Sequence, residues 1–316
     1  MKFATTLLST VLAAAPLVSC HGSVKTFVAN GKTYSAPEPA EGNPFRTTNT
    51  PVRQLELLEP ILDFTSSDNV CGRGVPPPAT LIAPVKAGSD VSFTMRGGGG
   101  GLWPHEYGPV LFYLAKCPGT ADKCDPTGLK WFKVDELGLK PGANNVWWHE
   151  ELKKGNSLSG TIPAGIQNGD YLLRIEVMAL HNAMNKGGAE TSVACTQIRV
   201  TGGGNSVIPA QDLVTFPGAY SMTDKGILVD IWNGLKNYSF PGPALFKAGG
   251  GGSSPAPSTS KPAQPAESSN PVTSAPVNVA PAPSKPTAKP PSKACKRSRH
   301  RRRHLHRLAR EMSHAH

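Results

Sequence analysis

Between residues 21 and 248, short apolar runs alternate with Gly, Pro, Asn and Asp punctuation. The runs are SVKTFVANGKTY, PATLIAPV, DVSFTMR, GPVLFYLAKC, LKWFKVDELG, SLSGTIPAGI, GDYLLRIEVMAL and CTQIRVTG. SVKTFV and RIEVMA alternate roughly with period two, and NGK between two such runs is a hairpin signal. No stretch carries a sustained helical period with caps. Strands at fairly regular intervals without crossover helices predict an all-β, antiparallel β-sandwich. Long Gly/Pro-rich loops, 34–60 and 202–248, carry much of its surface, and loops of that length in a compact domain are often functional.

The two ends have different compositions. Lys2 is followed by FATTLLSTVLAAAPLV, too short to span a bilayer comfortably, which predicts a secretory signal peptide over 1–20. Val18 and Cys20 occupy the small-residue positions before a cut that would leave His21 first, while Pro16 disfavours a cut after Ala15. No second long apolar run follows, so the expectation is a secreted, extracellular protein with no membrane span. Residues 249–292 are Pro, Ser, Ala, Thr and Gly, a linker that cannot bury a core and a candidate for O-glycosylation. Residues 293–316 form a basic tail rich in Arg and His, read as a disordered, solvated segment.

Charge follows the same division. The chain has 33 basic and 22 acidic residues, and the stretch from Gly249 supplies 12 of the former and 2 of the latter. The candidate domain is therefore near neutral, without the basic footprint that nucleic-acid binding requires. The glycine run 97–101 lacks a phosphate-loop lysine and is not a nucleotide site. Four cysteines fall in the domain: Cys71, Cys117, Cys124 and Cys195. Two disulfides in an oxidising compartment would use them all, and three pairings are open. The short Cys117–Cys124 spacing looks local, which would leave Cys71 with Cys195, and Cys295 is the odd one in the tail.

Four histidines also fall in the domain: His21, His105, His149 and His181. An N-terminal histidine offers an amine and an imidazole on one residue, a ready-made chelate. A second imidazole completes a three-nitrogen site suited to Cu(II). The α-amine has an ordinary pKa of roughly 7.7–8.0, so metal must displace a proton from it near neutrality.

HGSV, WPHEYGPVLFYLAKC, IPAGIQNGDYLLRIEVMALHNA, GGAETSVACTQIRVTGGG and FPGAYSMTDKGILVDIW…YSFPGPALF occur in that order. Together they resemble the fungal lytic polysaccharide monooxygenases of auxiliary activity family nine, over nearly all of 21–248. The resemblance implies an immunoglobulin-like or fibronectin III-like sandwich, a Cys71–Cys195 disulfide and one copper ion. His21 and His105 match the metal ligands, with Glu106 the rival to His105 if the register slips by one. His181 matches an outer-sphere histidine, and His149 matches no functional position and reads as a surface residue. Trp232 falls where the family often presents an aromatic to polysaccharide. Tyr220, Trp103, Trp131, Trp147 and Trp148 read as packing residues. Asn237-Tyr-Ser is an N-glycosylation sequon.

The chain departs from the family pattern at two places. Where the family usually reads Gly-Ala-Gln-x-Tyr, this chain reads Gly188-Ala189-Glu190-Thr191-Ser192. The resemblance gives both positions a role beside the metal, so Glu190 and Ser192 join His181 as catalytic candidates. An ionised Glu only accepts hydrogen bonds where Gln also donates, and Ser192 is too short to fill the axial position of a tyrosine. The implied function is a monomeric, secreted enzyme that oxidises β-1,4-glucan such as cellulose at C1 and/or C4, using an external electron donor and O2 or H2O2. The alternative is a copper-binding protein of the same fold with weak or no monooxygenase activity. A third reading is a carbohydrate-binding or wall protein without metal.

Overall fold

The computed structural model describes residues 21–247, so the expected signal peptide, linker, basic tail and Cys295 lie outside the described residues. Nine strands form in chain order: β1 (Gly22–Ala29), β2 (Lys32–Ser35), β3 (Ala83–Lys86), β4 (Asp90–Gly97), β5 (Val110–Lys116), β6 (Trp131–Leu137), β7 (Leu158–Thr161), β8 (Gly169–Ala179) and β9 (Glu190–Thr201). They make a four-stranded sheet, β2-β1-β4-β7, and a five-stranded sheet, β3-β9-β8-β5-β6. Among the described residues, α-helix is limited to two four-residue pieces, α1 (Asp68–Cys71) and α2 (Glu150–Lys153).

Each apolar run of the sequence contains a strand. Asn30 and Gly31 both take positive φ, 47° and 72°, the turn that matches the twist of the β1–β2 hairpin. Two features differ from the sequence expectation. β9 begins at Glu190, five residues before the run that predicted it, because the polar Glu190–Thr191–Ser192 stretch is paired along its whole length with β8. And β3 runs parallel to β9, while every other strand pair is antiparallel. The long connection from β2 crosses to the second sheet and enters its edge in the direction of β9, as a parallel pairing needs.

The core has two layers. Phe27 and Phe93 of the four-stranded sheet meet Phe112, Leu173 and Ile175 of the other between the sheets. Phe93 and Phe112 pack edge to face at 5.8 Å. Leu111, Tyr113 and Leu172 point from the opposite face of the five-stranded sheet and are covered by Phe64, Phe216 and Tyr220 of the long loops. A sheet buried on both faces reads as near-continuous apolar sequence, as β5 does, whereas the polar positions that make β8 alternate, Arg174 and Glu176, are themselves buried. Disulfides join Cys71 to Cys195 and Cys117 to Cys124. The first fastens α1 to β9.

Candidate metal centre

His21 immediately precedes β1 and is held by the sheet. Its carbonyl accepts the Gly98 N–H at 2.8 Å, so the glycine run after β4 supplies a clamp for the first described residue. Gly22 pairs with Gly97, and a Cβ on Gly22 would come within 1.8 Å of the Arg96 carbonyl oxygen. Only glycine lets the chain approach β4 this closely.

His105 lies in the loop entering β5. That loop is pinned to the end of β8: the Leu180 N–H donates to the Tyr107 carbonyl and the Met178 N–H to the Pro109 carbonyl, at 3.0 and 3.1 Å. Gly108 has φ 130°, and a Cβ there would lie 2.0 Å from the Met178 carbonyl oxygen. His181 follows β8 directly, and Glu190 opens β9, paired with Ala179 across the two strands. The same strand end therefore fixes His105, His181 and Glu190.

Four side chains converge. Glu190 Oε2 is 3.8 Å from His21 Nε2 and 3.9 Å from His105 Nε2. Glu190 Oε1 is 3.8 Å from His181 Nε2. The His105 and His181 rings stack at 4.7 Å. Burial lowers the pKa of His21, partly opposed by the negative charge of Glu59 and assisted by His181, and burial lowers that of His181. Both therefore favour the neutral imidazole. Among the described residues no group of three or more His, Cys, Asp and Glu side chains is placed to hold a metal ion. A chelate made by a main-chain amine and two imidazoles does not require one. The His21 and His105 imidazoles, each within 3.9 Å of Glu190 Oε2, are the donor type that a nitrogen-ligated copper takes.

Glu106, the rival ligand, is engaged by Lys153 Nζ at 2.6 Å. Ser192, two residues along β9 from Glu190, lines a cleft of about 10 Å³ with Ser23, Met95 and Val177. Trp232 is 48% exposed, packs its ring edge to face on Tyr107 at 4.9 Å, and donates its Nε1–H to the His181 carbonyl at 3.2 Å. Asn237 is exposed and lines a cavity of about 530 Å³ whose walls include Pro141, Tyr238 and Phe240.

His149 corrects the sequence reading: it is fully buried, not on the surface. Trp103 Nε1–H donates to His149 Nε2 at 2.5 Å, and the two rings stack at 5.7 Å. Trp103 in turn meets the edge of His105 at 5.2 Å. His149 is thus the anchor of the ring that backs His105. Burial pulls its pKa down to about 3. The polar HEEL segment gave no hint of this, because the partner lies 46 residues away.

A buried network also escaped the sequence reading. Glu176 of β8 accepts from Arg174 Nη1 at 2.6 Å, Tyr220 Oη at 2.6 Å and Thr191 Oγ1 at 2.8 Å. Arg174 donates further to the Asn69 and Val70 carbonyls beside Cys71. Thr191 points into this network while its neighbour Glu190 faces the histidines, as strand alternation requires. The charged residues inside the apolar β8 run were the one available signal.

Residues 21–240 match the model of Auxiliary Activity family 9, formerly GH61. Lytic polysaccharide monooxygenase D of this family from Gloeophyllum trabeum is 41% identical over 78% of this chain and 70% of its own length. Lytic polysaccharide monooxygenase A from Geotrichum candidum is 36% identical, covering 80% of this chain and 85% of its own. Among solved structures, the glycoside hydrolase family 61 member Cel61B from Hypocrea jecorina superposes with a TM-score of 0.64 at 31% identity, over 72% of this chain and 100% of that one. A cellulose-active polysaccharide monooxygenase from M. thermophila gives 0.62 at 30%, over 72% and 99%. On this match the chain belongs to Auxiliary Activity family 9, the lytic polysaccharide monooxygenases.

Proposed function

We propose that this copper-dependent polysaccharide monooxygenase works on β-1,4-glucan, with His21 as the mature N-terminus and one ion held by His21 and His105. The observation that carries this reading is that the His21 and His105 rings lie together, each within 3.9 Å of Glu190 Oε2, at the first described residue of the domain. Bound copper would supply the redox chemistry that activates O2 or H2O2 once an external donor has reduced it. The protein supplies position. The Gly98 clamp and the close approach at Gly22 set His21. The Trp103–His149 pair backs His105. His181, with its ring about one-third exposed, holds or passes a proton at Nε2 on the solvent side of the cluster.

Trp232 presents an apolar ring face beside His181, the kind of surface that stacks on a sugar ring. A glucan chain laid there brings its glycosidic bonds to the histidine cluster. Removal of residues 1–20 during export exposes the amine, the Pro/Ser/Thr-rich linker and basic tail follow the domain, and Asn237 carries a glycan. Among the described residues no helix is long and apolar enough to cross a membrane.

The test incubates the copper-loaded protein with ascorbate and cellulose, xyloglucan or xylan. Mass spectrometry of the supernatant is expected to find aldonic acids or C4 ketones. Their absence, with stoichiometric copper bound, would replace this reading with the alternative that the Glu190 and Ser192 departures raise, a copper-binding protein of the same fold with weak or no monooxygenase activity. A secreted form whose N-terminal peptide does not begin at His21 would overturn the chelate.

A further inference from the structure

We infer that the cavity beside Asn237 seats the innermost sugar of the glycan on that residue, an N-acetylhexosamine tethered to its own binding site. This rests on Asn237 being glycosylated and turns the glycan from a decoration into a packing element. Asn237 lies in the only Asn-x-Ser/Thr sequon of the chain. It is itself part of the wall of the cavity, whose volume of about 530 Å³ falls within the roughly 300–1,000 Å³ of small-ligand sites. Half-buried Leu139, Leu235, Tyr238 and Phe240 supply apolar surface, and exposed Asn144 and Lys236 add polar groups. That division suits an N-acetylated sugar. Its C–H face and acetyl methyl pack on apolar and aromatic surface, while its hydroxyls and amide take hydrogen bonds.

The two walls are joined at their base. There Tyr238 meets Trp147 edge to face at 4.9 Å and its hydroxyl donates to the Gly226 carbonyl at 2.6 Å. Phe240 fills the space beside Gly138, where a Cβ would lie 2.7 Å from its Cζ. The tip of the 139–144 turn makes its contacts elsewhere. The Ala143 N–H donates back to the Lys140 carbonyl at 3.3 Å, the Lys140 ammonium donates to Glu151 at 2.6 Å, and a Cβ on Gly142 would meet nothing within 4 Å. A sugar rooted on one wall and packed against the other bridges the two. The short tether holds it at an effective concentration on the order of mM, so contacts too weak to capture a free oligosaccharide still seat this one.

The experiment uses the secreted protein, with occupancy of Asn237 read from glycopeptide masses. An endoglycosidase trims the folded protein to one sugar on Asn237, and Asn237→Gln and Ser239→Ala supply bare forms. The full and one-sugar forms are expected to melt within about 1 °C of each other and the bare variants about 3 °C lower. The acetyl methyl proton of the one-sugar form is expected upfield of its position in the excised glycopeptide, shifted by the Tyr238 and Phe240 rings. Should both variants misfold, a peptide N-glycosidase, which converts Asn237 to Asp, gives a bare form from protein already folded. A methyl resonance at the glycopeptide position, or a one-sugar form that melts with the bare ones, would overturn the seat while leaving the glycan in place. A secreted protein bare at Asn237 would overturn both glycan and seat and leave the copper reading untouched.

Discussion

Trp232 joins two tasks in one residue, an exposed ring and a hydrogen bond from Nε1 to the His181 carbonyl. Trp232→Ala is expected to weaken cellulose binding roughly tenfold, about 1.4 kcal/mol, by pull-down of the copper-loaded protein. Trp232→Phe keeps the ring but loses the donor, so it should retain most of the binding while lowering turnover through a less ordered His181. His149 allows a sharper test. A buried histidine whose pKa falls to about 3, against an ordinary value near 6.5, is neutral when folded and takes up a proton on unfolding between those values. The unfolded state then binds more protons, so stability is lost as pH falls from about 6.5 to about 3 and no further below that. A His149→Gln variant should flatten this part of the pH–Tm curve. The family resemblance marked His21, His105, His181 and Glu190 as candidates, because the motifs that carry it occur in order. It could not show His149, whose burial depends on a tryptophan far away in sequence.

Strands and loops were legible to different degrees. Each apolar run holds a strand because alternation or continuous apolarity marks a face that must be buried. The start of β9 was not legible, since Glu190, Thr191 and Ser192 are polar and gain their place only through pairing with β8. The long loops read as surface, yet Phe64, Phe216 and Tyr220 of those loops cover the outer face of the five-stranded sheet. The disulfides act on these elements unequally. The Cys71–Cys195 bond closes a separation of 124 residues and Cys117–Cys124 one of 7. On chain entropy they contribute about 5 and about 2.5 kcal/mol. Replacing Cys71 and Cys195 together by Ala should therefore lower the denaturation midpoint about twice as far as replacing Cys117 and Cys124, read in urea at matched pH. The first replacement should also loosen α1, whose Asn69 and Val70 carbonyls receive Arg174.

At the scale of the molecule, the sandwich brings His21, His105, His181 and Glu190 together where the start of β1, the loop into β5 and the β8–β9 connection meet. The sequence showed the order of these segments but not that a buried Arg174–Glu176 pair lies behind them, since no spacing rule marks it. The backbone of the first described residue is held by the Gly98 N–H on the His21 carbonyl and by Gly22 against Gly97. None of these contacts uses the His21 amine. A variant secreted with one extra alanine ahead of His21 is expected to melt within about 1 °C of the unaltered protein, as surface changes away from packed features shift stability little. Its Cu(II) affinity, by contrast, should fall by at least about a hundredfold, because the chelating nitrogen becomes an amide. A chain trimmed one residue wrong would thus pass any inspection that senses only folding, and leave the cell intact and inert. Under the proposed chelate, the fidelity of one proteolytic cut would govern the active fraction, independently of the stability of the domain behind it.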